Sequence, residues 1–340
     1  MASQNIPLYI LEYTTTSGPQ TEFAQGDINK VLSTTAAGLS IMGALVIIIT
    51  FVMWPDLRTN SRNIILFISI GDLFVAITNI VGLYGHSHSL TCEIEATLNI
   101  VAILSSFFWT VFLSVYFYVT ICRKISLEME ARMMRFFHVT AWGIPFLLAA
   151  IALGDRAVGN SNDFVSSGWC WIKYRQEWRK MMLWMFLAGK GWEILAYVTI
   201  CVFYVLVKLQ IRREMKMGIA SGGHFLTLKS IEVVKKADRK LTFIPVVFIL
   251  LRMWGTIRFF RFLAYHPENP PALKWLVILH GIGDSSQGFA NFFLFCLFTD
   301  KIRKKFRQCC EQFIPKCSVE EKDPLLESTN LAYGARDFYT

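Results

Sequence analysis

The chain has 340 residues, of which 54% are hydrophobic, 14% aromatic and 17% charged, with a formal net charge of +9. So apolar and charge-poor a composition excludes an ordinary soluble domain and points to an integral membrane protein. The basic excess would suit nucleic acid only as a patch on a soluble surface; here Lys and Arg lie between apolar runs, so they read as topology signals and no nucleic-acid partner is expected.

Residues 1–30 have no basic start and no sustained apolar core, and they carry Glu12, Glu22 and Asp27. They read as a short extracellular tail rather than a cleavable signal, and the first apolar segment takes the signal role. The tail is too small to hold a ligand alone, so an extracellular small molecule or short peptide is expected to enter among the helices.

Seven apolar segments follow, at residues 31–53, 63–84, 96–122, 136–153, 181–207, 241–265 and 273–298. The third organises the rest. Its 27 residues carry no charge, and as a helix they span about 40 Å against a hydrocarbon core of about 30 Å. A tilted, central helix is implied, with Cys92 at one end and Arg123 and Lys124 at the other.

One set of connections holds Arg58, Arg62, Arg123, Arg132 and Arg135, then the stretch 208–240 with Lys235, Lys236 and Arg239, then the basic run 301–307. That side has twenty basic residues and the other seven, which puts the N-terminus outside and the C-terminus in the cytoplasm. The expected fold is all-α: a seven-transmembrane helix bundle over 31–299, a short amphipathic cytoplasmic helix over 300–314 and a disordered tail over 315–340. Ile302, Phe306, Cys309, Cys310 and Phe313 share one face of the short helix, which suits the lipid surface, and Cys309 and Cys310 are candidates for palmitoylation against plain reduced thiols. Glu321, Leu325 and Leu326 stand in an acidic dileucine spacing.

On this topology Cys92 and Cys170 are the two cysteines facing the oxidising side, and they are expected to pair. Their neighbours Trp169 and Trp171 read as anchors at the membrane interface. Asp72, Lys190, Glu193, Arg252, His280 and Asp284 all fall near mid-bilayer, where ionisable groups are costly and functional. Lys190 and Glu193, three apart, either neutralise each other or join a relay with Arg252, beside which Trp254 packs. Arg258 and Arg261 lie nearer the outer mouth, to snorkel or to meet an acidic ligand group. With His280 neutral, the six mid-bilayer groups leave one negative charge over; a protonated His280, a protonated carboxyl or a bound cation would balance it.

Pro245 marks a hinge in the sixth segment and Pro145 a static bend in the fourth. His86 and His88 lack a third partner for a metal site. Residues 275–299 hold no lysine for a Schiff base and no nucleophile–base constellation stands out, so neither an enzyme nor a cofactor is expected.

A set of motifs spans residues 30–305. It begins with Trp54-Pro55-Asp56-Leu57-Arg58, Phe107-Phe108-Trp109-Thr110, Gly168-Trp169-Cys170-Trp171-Ile172, and Gly189-Lys190 with Trp192-Glu193. It continues with Ile244-Pro245, Leu251-Arg252, Trp254, Arg258-Phe259, His280-Gly281-Ile282-Gly283, Gln287-Gly288 and Ala290-Asn291. The set resembles the orphan G-protein-coupled receptor 157 family, which lies near the slime-mould cyclic-AMP receptors and the secretin and adhesion receptors. Cys122-Arg123-Lys124 stands where the rhodopsin-like Asp-Arg-Tyr would be, and no Asn-Pro-x-x-Tyr follows Asn291, so that larger group's activation details do not transfer.

The resemblance implies a plasma-membrane receptor that passes ligand binding to a heterotrimeric G protein, with Gq-type coupling through phospholipase C and ciliary placement suggested. Arg123, Arg132, Arg135, Lys235, Lys236 and Arg239 are the expected G-protein-facing residues, in a cleft opened as the sixth helix swings about Pro245. The alternative is a transporter or ion pathway using the same intramembrane charges, which inverted repeats would favour and the sequence does not display.

Overall fold

The computed structural model describes residues 26–85, 89–123, 125–161, 166–173, 177–220, 228–265, 273–297 and 299–313. Lys124, His86, His88, the dileucine pattern and the tail from 314 lie outside these residues, as do the side chains of Lys235, Lys236, Arg239, Pro245 and Cys310. The chain forms two compact units, residues 1–298 and 299–340.

The described residues of the first unit are mostly helical, with one two-residue strand pair in the connection after the fourth helix. Its elements are α1 (Asp27–Met53), α2 (Asn60–Tyr84), α3 (Ser89–Arg123), α4 (Leu127–Gly154), β1 (Val158–Gly159), β2 (Trp171–Ile172), α5 (Trp178–Met185), α6 (Gly191–Ala220), α7 (Leu228–Ala264), α8 (Lys274–Ser285) and α9 (Gln287–Phe292). A π-helical turn, Phe186–Lys190, joins α5 to α6, and another, Phe293–Leu297, follows α9. Local chemistry sets several boundaries. Thr59 caps α2 by accepting from the Arg62 N–H, and Ser126 caps α4 by accepting from Met129, with Glu128 and Glu130 favourably placed in its first turn. The Arg58 guanidinium donates to the Phe51 and Val52 carbonyls and so closes α1.

The faces are inverted relative to a water-soluble bundle. Ser33, Ser40, Ser69, Asn79, Asn99 and Ser106 are buried, while Ile28, Met42, Val139, Leu147 and Val198 point outward more than half exposed. That is the distribution expected when the surrounding solvent is lipid. Small residues let the helices approach: Gly43 of α1 sits on the Gly288 carbonyl and Phe289 Cα of α9, at distances where an added Cβ would fall at 2.8 and 2.9 Å. The break at Ser286 frees backbone donors at the start of α9, and Ser40 accepts one of them, Gly288 N–H, at 2.9 Å.

α3 packs on α2, α4 and α6; α6 packs on α7, α7 on α8, and α1 closes the ring between α2 and α8–α9. An apolar cluster follows α3 through Ala96, Ile100, Leu104 and Phe107 and takes in Ile200 of α6 and Phe248 and Phe259 of α7. The third segment is therefore central, and at 35 residues it exceeds its uncharged run. Among the described residues, five helices are long and apolar enough to cross a membrane: α1, α2, α3, α4 and the α5–α6 rod. The seventh apolar segment is divided at Ser286, so neither α8 nor α9 reaches that length.

The basic stretch 208–240, read above as a connection, is largely helical: α6 runs on to Ala220 and α7 begins at Leu228. Lys, Arg, Glu and Met are good helix formers, so a charge run marks where apolar surface ends without ending the helix. In the second unit α10 (Asp300–Phe313) buries Ile302 and exposes Arg303, Lys304 and Arg307.

A candidate ligand pocket over a buried polar core

The π turn aims Lys190 inward. Gly191 N–H reaches back five residues to the Phe186 carbonyl, and the indole of Trp192 donates at 2.8 Å to the Leu187 carbonyl that the turn leaves over. Lys190 Nζ then lies 2.8 Å from Glu193 Oε2, with both side chains buried. The other carboxylate oxygen accepts from Tyr197 at 2.7 Å and from Thr256 of α7. Glu193 is thus fully engaged and ties α6 to α7.

A second chain of bonds runs through α8. One Arg258 Nη1 donates to the Ser166 carbonyl and to His280 Nδ1, each at 2.8 Å. A guanidinium can only donate, so Nδ1 is the acceptor and Nε2 carries the proton. Nε2–H then donates to Asp284 Oδ2 at 3.2 Å, which makes His280 a neutral bridge between a cation and an anion. Arg252 Nη1 approaches the same oxygen, at 3.6 Å and without a hydrogen bond. Fully buried, Arg252 also stacks over the Phe107 ring, 5.0 Å from its centroid.

Asp72 accepts from Ser106 at 2.6 Å and Asn291 at 2.7 Å, and the Arg252 charge acts on it as well as on Asp284. A neutral amide chain from Asn99 to Asn79 to Ser285 braces α3, α2 and α8.

These contacts change the count of buried charges. Arg258 is buried at 6% exposure rather than snorkelling, so with Lys190 and Arg252 it makes three buried cations, against the four buried carboxyls Asp72, Glu95, Glu193 and Asp284. Arg252 faces Asp284, and Glu193 is taken by Lys190, Tyr197 and Thr256. Trp254 packs against α8, where an added Cβ on Gly283 would lie 3.3 Å from its Cδ1. Arg261 is half-buried over Tyr265, 5.3 Å from the ring centroid.

Cys92 and Cys170 form the expected disulfide, with Cα atoms 5.5 Å apart. Trp169 and Trp171 are buried in the bundle mouth instead of lying at its rim, and Trp169 meets the His280 ring edge-on at 5.5 Å. Beneath them is a cavity of about 30 Å³, lined by Phe107, Lys190, Glu193, His280 and Asp284 among others. That is room for only one or two waters. On other surfaces, Arg123, Arg132 and Arg135 are exposed, Cys309 is partly buried, and Lys235, Lys236 and Arg239 fall within α7.

A search confined to ionisable mid-bilayer residues passes over Asn79, Asn99, Ser106 and Asn291, although an amide in an apolar helix is itself a signal. It also passes over Tyr197 and Thr256, and over Glu95, which marks the edge of an uncharged run yet is buried and accepts the Cys170 N–H at 3.1 Å.

Residues 21–216 match the family model described as slime mold cyclic AMP receptor. The chain is 37% identical to the human G-protein coupled receptor 157 over 301 residues, covering 86% of this chain and 87% of that protein. It is 30% identical over 134 residues to cyclic AMP receptor-like protein A of Dictyostelium discoideum, covering 39% of this chain and 34% of that one. A third similarity, 27% over 184 residues, is to the mouse cadherin EGF LAG seven-pass G-type receptor 1, covering 53% of this chain and 6% of that protein.

Proposed function

The chain belongs to the slime mold cyclic AMP receptor family together with the G-protein coupled receptor 157 proteins, and from that membership as a membrane receptor we propose how it signals. Seven rods cross the plasma membrane: α1, α2, α3, α4, α5–α6, α7 and α8–α9, with the N-terminus outside. A ligand acts at the outer mouth, and the signal leaves through a heterotrimeric G protein of the Gq type that activates phospholipase C.

The observation that carries this reading is the continuous path from Ser166 through Arg258, His280 and Asp284 to Arg252. A ligand that moves the outer loop withdraws an acceptor from Arg258 and lets His280 turn. Asp284 then loses a donor and draws on Arg252, whose guanidinium makes no hydrogen bond among the described residues and so moves at little cost. Arg252 belongs to α7, and a swing of α7 about Pro245 opens an inner cleft bordered by Arg123, Arg132, Arg135, Lys235, Lys236 and Arg239.

Purified chain in lipid nanodiscs, presented in turn with each G-protein class, should accelerate nucleotide exchange on the Gq type. Exchange on none of the classes, with intact chain in the discs, rejects the reading; flux of ions or solutes through proteoliposomes would favour a transport pathway instead.

A further inference from the structure

The mouth of the bundle is already full, and the way it is filled states what it recognises. The described outer-loop residues 166–172 are all buried. Three buried side chains from three helices hold their main chain: Arg258 of α7 donates to the Ser166 carbonyl at 2.8 Å, Asn29 of α1 to the Ser167 carbonyl at 2.9 Å, and Glu95 of α3 accepts from Cys170 N–H at 3.1 Å. Missing side chains make room for both tryptophans, at Gly82 for the Cβ of Trp169, whose indole meets the His280 ring, and at Gly189 for the indole of Trp171 itself. A Cβ on Gly82 would lie 2.7 Å from Trp169 Cβ, and one on Gly189 would lie 2.7 Å from Trp171 Cζ2. The β1–β2 pair contributes only two residues a side, so the bundle rather than a hairpin holds this segment.

Main-chain bonds for affinity with pockets for alternate side chains for selectivity is how proteins read extended peptides. We propose that the mouth is a peptide-recognition site, and that its diffusible ligand is a short extended peptide with two indole-sized aromatic side chains one residue apart, competing with the chain's own Trp169-Cys170-Trp171. This rests on the receptor reading above and replaces its open ligand with a chemical class. The cavity of about 30 Å³ left beneath the loop is too small for a separate ligand, so entry requires exchange with the loop.

The test uses a labelled peptide Ser-Ser-Gly-Trp-Ser-Trp-Ile and a control with both tryptophans replaced by alanine, added to full-length chain in nanodiscs. The Cys92→Ser/Cys170→Ser variant, whose loop is untethered, should bind the first peptide saturably and the control not at all. Adding Arg258→Gln should weaken binding about tenfold, as loss of one charge-assisted bond does, and Gly189→Ala should block the Trp171 slot. If the untethered variant does not fold, Trp169→Ala/Trp171→Ala keeps the disulfide and empties both slots, and the peptide should raise its melting temperature.

No saturable binding to the folded variants, or equal binding of the alanine control, overturns the proposal. Nucleotide exchange is read on the same discs: exchange without peptide binding overturns the peptide site alone, whereas peptide binding with no exchange on any G protein sinks the receptor reading and leaves the site standing.

Discussion

Replacing Asp284 by Asn removes one charge while keeping the shape that accepts from His280 Nε2–H. Its consequence falls on Arg252, 3.6 Å away and fully buried. At an effective dielectric of about 20 the gross attraction across that distance is roughly 5 kcal/mol. No hydrogen bond adds to it, and the pull of Asp72 on Arg252 survives, so the coupling that remains to be measured is about half, roughly 2 to 3 kcal/mol. Asp284→Asn alone should destabilise the bundle by about 3 kcal/mol, because it leaves a cation without its nearer partner. Arg252→Met alone should cost about as much, since it strands the carboxylate. The double variant, restored to neutrality, should be more stable than the sum of the two by that coupling. Denaturant unfolding of the four proteins in micelles measures it. Effects that add to within about 0.5 kcal/mol would mean that Arg252 and Asp284 do not interact, and would remove the last link of the path from the outer loop to α7.

Gly43→Ala should cost about 1 to 3 kcal/mol, since its Cβ meets the backbone of α9, whereas Gly38→Ala and Gly143→Ala have open space within their helices and should stabilise by about 0.5 to 1 kcal/mol. Non-reducing peptide mapping should recover Cys92 linked to Cys170, and loss of the bond across 78 residues should lower stability by about 4 kcal/mol; both recovered as alkylated thiols would refute the pairing. Glu193→Gln, compared at matched surface expression, should alter basal signalling because it weakens the tie of α6 to α7 through Tyr197 and Thr256. Unchanged basal and stimulated activity would make that carboxylate structural only. Spin labels at the inner ends of α3 and α7 should separate when G protein engages, and a constant distance would count against the swing.

Apolar run length and the placement of Lys and Arg made the helices and the central role of α3 legible from the residues alone, because a chain in lipid must satisfy its backbone within each segment. The disulfide was expected for a similar reason: the placement of Lys and Arg put Cys92 and Cys170 together on the side read as oxidising, and the two are bonded. Run length could not show where α6 ends, since helix propensity outlasts hydrophobicity, nor that a π turn precedes Gly191, since one extra residue in a turn leaves the composition unchanged. Partner choice in the core was settled only in three dimensions. Glu193 and Arg252 are both mid-bilayer by position, yet the azimuth of each on its helix and the inward fold of Ser166 to Ile172 give Lys190 to one and Asp284 to the other. Arg258 shows the difference most directly: its place along α7 allowed snorkelling or contact with an acidic ligand group, and a carbonyl on one side with an imidazole nitrogen on the other drew it inward, where it adds a third buried cation that the linear count left out.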